Sequence, residues 1–149
     1  AASDVYKRQA LSFVGCSKKD PVTSQVFNDT MTQGGYTIND VQEQYDDLGF
    51  VTEAYIAVDE TKSYQIEFYV LSDNERAVKM FEGNKQNLEE NKDSSHISTS
   101  VSAGNHGKYT LTADGEYVLI SRIDNTVIFA KNSDEYKDAV NTAVEALGY

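Results

Sequence analysis

The side chains able to do chemistry in this chain of 149 residues are few: one cysteine, Cys16, two histidines, His96 and His106, and no tryptophan. The histidines precede a strand and sit within a turn, in Gly104-Asn105-His106-Gly107. That is not the spacing of metal ligands on one helix or in a finger, and His106 reads as a solvated turn residue. The acidic pairs Asp46-Asp47 and Asp59-Glu60 fall in connections. With Asp40 and Glu43 they lack the alternating ligands and distal glutamate of a calcium loop, and read as solvated loops. No serine stands in a nucleophile-elbow pattern. Gly34-Gly35 ends a helix rather than opening one, so it is no phosphate cradle. The sequence therefore predicts no catalytic residue, no metal site, no cofactor and no enzyme.

What remains is a surface. Phe50 to Val58 and Tyr64 to Leu71 read as a hairpin, with Asp59 to Ser63 as its connection. Alternation puts Ala54, Ile56 and Val58 on one face of the first strand, and Ile66, Phe68 and Val70 on one face of the second. If those two faces coincide, Glu53, Tyr55, Glu67 and Tyr69 lie together on the other side, where Arg122 can join them. Such tyrosines serve either as cross-strand pairs or as a platform for a ligand or partner.

The elements that would position this surface follow from caps and periodicity. Thr23 or Ser24 caps a first helix over Thr23 to Thr32, stopped by Gly34-Gly35. Tyr36 to Val41 suits a short edge strand, and Gln42 to Gly49 a polar loop or helical turn. Ser72 or Asp73 caps a second helix running to about Asn91, with Ala77, Phe81 and Leu88 on its apolar stripe. A four-strand meander follows over Ile97–Ser102, Lys108–Thr112, Glu116–Ile123 and Thr126–Lys131. Its last turn, Asp124-Asn125, holds residues that tolerate positive φ. The strands at 117–123 and 126–131 are apolar on both faces, which marks them as central or as covered by a partner. Ser133 or Asp134 caps a final helix. The expected fold is α+β: a mainly antiparallel sheet of six or seven strands with about three helices on one face, ordered α-β-β-α-β-β-β-β-α, with room for an extra short strand after the first helix.

The formal net charge is −11, from 24 acidic and 13 basic residues. That excludes a nucleic-acid partner, because phosphate neutralisation needs clustered lysine and arginine. One cysteine allows no internal disulfide, and no apolar run approaches the length of a membrane span.

Residues 1–9 carry no apolar periodicity and resemble a translated adapter sequence. Ala10-Leu11-Ser12-Phe13-Val14-Gly15-Cys16 then resembles the end of a bacterial lipoprotein signal peptide. Gly15 and Cys16 match the small residue and cysteine of the lipobox, while Phe13 stands where leucine is usual. The apolar run is short, and residues 1–15 read as an adapter-like leader plus the remnant of a signal peptide. The resemblance implies that the Cys16 thiol receives a diacylglyceryl group, that two or more acyl chains anchor the protein to the membrane, and that residues 16–21 form a tether to one globular domain at 22–149. It implies display in the cell envelope, on the outer face of the cytoplasmic membrane. The function expected there is a non-enzymatic binding or interaction module, its partner an envelope protein or a small ligand. An accessory or inhibitory lipoprotein acting on an envelope enzyme or transporter is the alternative, and a hydrolase with an unrecognised site ranks third.

Overall fold

The computed structural model describes residues 18–93 and 95–149. Cys16 and the lipobox-like stretch lie outside the described residues. In chain order the elements are α1 (Ser24–Gln33), β1 (Thr37–Asp40), a 3-10 segment (Gln42–Leu48), β2 (Val51–Val58), β3 (Gln65–Leu71), α2 (Asn74–Asn91), β4 (His96–Ala103), β5 (His106–Ala113), β6 (Glu116–Ile123), β7 (Thr126–Ser133), a 3-10 turn (Asp134–Tyr136) and α3 (Lys137–Ala146). The strands form one antiparallel sheet of seven, ordered β1-β2-β3-β7-β6-β5-β4. The α+β class and the optional short strand stand as expected.

The local signals account for the ends of these elements. The Thr23 hydroxyl accepts from Val26 N–H and the Asp73 carboxylate from Arg76 N–H, capping α1 and α2. Gly35, at φ 91°, lets the N–H of Tyr36 return to Met31 C=O, and Gly148, at φ 84°, lets Tyr149 N–H return to Val144 C=O. Both closures are Schellman motifs. The meander turns are two residues each: Asp114 and Gly115 both take positive φ, whereas only the first residue does in Gly104-Asn105 and Asp124-Asn125. Those are the φ patterns of type I′ and type II′ hairpins. The final helix departs from expectation. Neither Ser133 nor Asp134 caps α3; Ser133 ends β7 and the 3-10 turn intervenes.

Helices cover both faces of the sheet, which corrects the expectation that they share one. On the first face, α1 and α3 bury Phe27, Met31, Phe68, Ile128, Val140 and Val144. The Phe27 and Phe68 rings stack there with centroids 4.7 Å apart. On the second face, α2 and the first 3-10 segment bury Ala54, Tyr69, Ala77, Phe81, Tyr109, Ile120 and Val127. The reason lies in β6 and β7. Val118, Ile120 and Val127 point away from α1 and α3, and leaving such side chains in water costs about 1.5–3 kcal/mol each. Helix α2 supplies the cover. Its 18 residues span about 27 Å, enough to cross diagonally from the end of β3 over β7, β6 and β5 to the start of β4, four strand spacings or about 19 Å away. This crossing explains why β3 neighbours β7 rather than β4.

Candidate functional site

The expected surface of Glu53, Tyr55, Glu67, Tyr69 and Arg122 is not one surface. Registry across the β2–β3 hairpin places Tyr55 opposite Phe68 and Glu53 opposite Val70, on the face of α1 and α3. Tyr69 lies opposite Ala54 and Glu67 opposite Ile56, on the face of α2. The connection pairs even-numbered positions of β2 with odd-numbered positions of β3, and a bulge between Val51 and Glu53 shifts the strand once more. Side-chain alternation within each strand cannot reveal either effect. Arg122 is buried, and its Nη1 donates to the carbonyls of Asn105 (3.0 Å) and Asp124 (3.2 Å). It therefore ties two hairpin turns together rather than facing a ligand.

Tyr69 nevertheless leads to a site. It is 4% exposed and forms, with Val51, the floor of a cleft between the first 3-10 segment and α2. Tyr45, Leu48 and Phe50 on one side and Arg76, Lys79 and Met80 of α2 on the other line the rest of it, and the open cavity measures about 270 Å³. One side-chain and two backbone hydrogen bonds hold the segments around the cleft. Gln42 Nε2 donates to Val51 C=O at 2.9 Å, Val41 N–H to Ala54 C=O at 3.0 Å, and Ser72 N–H to Phe50 C=O at 2.9 Å. Gly49, at φ 61°, turns the chain from the 3-10 segment into β2.

Polar groups meet the apolar lining at two places. At the floor, the Tyr45 and Tyr69 rings meet edge to face at 5.4 Å, with hydroxyls 3.0 Å apart, and Tyr69 donates to Glu67 Oε2 at 2.5 Å. Gln65 Nε2 holds the other Glu67 oxygen at 3.2 Å. Burial, the adjoining Glu67 carboxylate and the Tyr45 hydroxyl push the Tyr69 phenol far above its ordinary value, so it stays protonated. At the rim, the Arg76 guanidinium lies over the Phe50 ring at 5.1 Å, and Lys79 pairs with Glu75 at 2.8 Å in solvent. An apolar slot with the Arg76 guanidinium at its mouth suits a small apolar or aromatic group whose negative charge meets that guanidinium. The residues that line it were missed by sequence reading because Gln42 to Gly49 looked uniformly polar. The available signal was Tyr45 and Leu48, three apart and so eclipsed on one side of a 3-10 turn.

Two other expectations need correction. His106 opens β5 rather than lying in solvent, and is 7% exposed. Its Nδ1 finds no partner among the described residues. Burial, then the nearby Lys19 and Arg122 cations, lowers its pKa from 6.5. Asp59 is likewise buried, and each of its carboxylate oxygens is engaged by its own loop: Oδ1 accepts from Ser63 N–H (2.6 Å) and Tyr64 N–H (2.8 Å), Oδ2 from Thr61 N–H (3.0 Å) and the Thr61 hydroxyl. Burial raises its pKa, but the bonds from Thr61, Tyr64 and Ser63 outweigh that and hold it below the usual carboxylate value. It is a turn-forming group with no free lone pair aimed outward. Asp46 and Asp47 are exposed, as expected of a solvated loop. Among the described residues no cluster of three His, Cys, Asp or Glu is arranged to hold a metal, and no helix is long and apolar enough to cross a membrane.

No known protein family matches the chain, and no curated protein does. Among solved structures, a GTP binding regulator from Thermotoga maritima is similar, with a TM-score of 0.50 at 14% identity over 85% of this chain and 87% of that one. At that identity the likeness concerns the fold alone.

Proposed function

We propose that this chain is a non-enzymatic binding module, displayed in the cell envelope by lipid on Cys16, and that the cleft over Tyr69 receives a small apolar or aromatic group bearing negative charge. The observation that carries the reading is the cleft itself: an apolar slot with the Arg76 guanidinium at its mouth, in a chain whose formal net charge is −11. Anionic ligands would be repelled by most of such a surface, so a local cationic mouth gives the site selectivity.

Anilinonaphthalene sulfonate, an apolar aromatic anion, is a suitable probe. The folded protein should bind it with a rise in fluorescence, Met80→Trp should fill the slot and abolish the rise, and Arg76→Gln should weaken binding about fivefold by removing one charge contact. Equal binding by the wild type and Met80→Trp, both folded by circular dichroism, overturns the cleft assignment. The anchor is tested separately by expressing the gene in a bacterial host. Wild type should partition into the detergent phase and Cys16→Ser should not; equal partitioning overturns the lipid reading and leaves the cleft untouched.

A further inference from the structure

The two edges of the sheet are built differently. Strand β1 spans four residues and ends in Asp40, a short charged edge of the kind that discourages further pairing. Strand β4 spans eight residues, His-Ile-Ser-Thr-Ser-Val-Ser-Ala, pairs with β5 without a bulge, and contains no aspartate, glutamate, lysine, arginine or proline. Among the described residues none of the usual edge protections is present and no strand lies beyond it. Its two large apolar side chains, Ile97 and Val101, are 69% and 58% exposed.

The hydrogen-bonding direction along β4 is fixed by its turn. The two-residue loop Gly104-Asn105 closes on the pair Ala103/His106, so Ala103, Val101, Thr99 and Ile97 address β5, and His96, Ser98, Ser100 and Ser102 turn their N–H and C=O groups outward. These outward groups are self-complementary. An antiparallel copy of β4 centred on Thr99 brings Ser98 against Ser100 of the copy in a doubly bonded pair, and His96 against Ser102. In the same register Ile97 meets Val101 twice, on the face of α1 and α3, and Thr99 meets itself. No charge meets a like charge along the seam. We infer that β4 is the seam of a homodimer in which two seven-stranded sheets join edge to edge across a two-fold axis at Thr99. The interface is isologous, as two-fold dimers require, and rests on main-chain bonds with one pair of aliphatic contacts for register. It involves neither the cleft nor the anchor.

The test uses the full-length Cys16→Ser protein in sedimentation velocity over a concentration series. Reversible dimerisation is expected. Ser100→Pro deletes an outward N–H while leaving the β4–β5 ladder intact, and should weaken the dimer about thirtyfold, one bond being lost on each side of the axis. Ile97→Lys should also weaken it, and adding Val101→Glu should restore it, because opposite charges then face each other across the axis. In the same background Thr99→Cys should form an intermolecular disulfide on mild oxidation and Val101→Cys should not, since only position 99 meets its own copy. A protein that stays monomeric throughout overturns the inference, as does a dimer indifferent to Ser100→Pro and to the charge pair, or one that cross-links equally through positions 99 and 101.

Discussion

The two faces of the sheet solve the same problem with different chemistry. Under α1 and α3 the core is closed by stacked and aliphatic side chains, and its tyrosines bond to neutral partners: Tyr117 to Asn141, Tyr36 to Tyr64, and Tyr149 to Thr126. Under α2 the tyrosines donate to carboxylates instead, Tyr69 to Glu67 and Tyr109 to Glu89. Charge-assisted bonds of this kind are stronger but depend on ionisation. The face that carries the cleft is thus the one whose packing is tied to charge, while the opposite face is an ordinary apolar core. Glu67 holds the Tyr69 hydroxyl in place at the floor of the cleft.

The contrast can be broken most severely at Phe68. Phe68→Ala opens a cavity beneath the stack with Phe27 and should cost about 3–5 kcal/mol, lowering the melting temperature by about 10 °C in a chain of this size. A melt within 2 °C of wild type, roughly the effect of 1 kcal/mol, would show that the first face is not the main core. A smaller effect is expected on the second face, at Gly107. A Cβ at Gly107 would lie 3.1 Å from the Phe81 ring, so Gly107→Ala should destabilise by about 1–2 kcal/mol. Phe81→Leu should relieve part of that cost, measurable as coupling in a double-mutant cycle.

The smallest effects, and the sharpest, come from acid. His106 packs at the end of the first face, and its pKa is lowered by burial and neighbouring cations. Its stability contribution is therefore intact above pH 6.5 and is lost as pH falls through the lower folded value. Glu89, on the second face, is held below its ordinary 4.5 by its bonds to Lys92 and then Tyr109. Its contribution is intact above pH 4.5 and lost only below that. Melting temperatures followed from pH 7.5 to 3 should fall in two stages. His106→Gln should flatten the first stage alone and Tyr109→Phe should reduce the second alone. A single transition unaffected by either substitution would show that the two faces do not differ in this way.

Much of the fold was legible in the residues. The cap pairs Thr23 or Ser24 and Ser72 or Asp73, the helix stop Gly34-Gly35 and the hairpin turn Asp124-Asn125 each act locally and were readable because cause and effect lie close in sequence; the structure selects Thr23, Asp73 and Gly35. The doubly apolar β6 and β7 correctly pointed to central strands. What they implied for the second face, a helix of the chain's own, was left open between central placement and a partner. The face shared by Tyr55 and Tyr69 was not legible, because strand registry depends on the Asp59 loop and on the bulge at Val51/Glu53 rather than on alternation. Burial of His106 was missed for a related reason: the two-residue turn ends at Asn105, one position earlier than its glycines suggest. Of the cleft only Tyr69 was foreseen, for the wrong surface.

Near the start of the described chain, Lys19 is clasped at the sheet's end, its N–H donating to Asn105 Oδ1 at 2.9 Å and its carbonyl accepting from Asn105 Nδ2 at 2.6 Å. Only two residues, Ser17 and Lys18, separate this clasp from Cys16, a reach of about 10 Å at full stretch. A lipid on that cysteine would moor the domain by the tips of the β4–β5 and β6–β7 hairpins, with little freedom to roll. Leu71, whose N–H bonds to Asn125 C=O, and Val51 beside it belong to that same tip. The slot over Tyr69 would then open beside the lipid headgroups, and an amphiphile would reach it by sliding along the bilayer rather than by crossing open water.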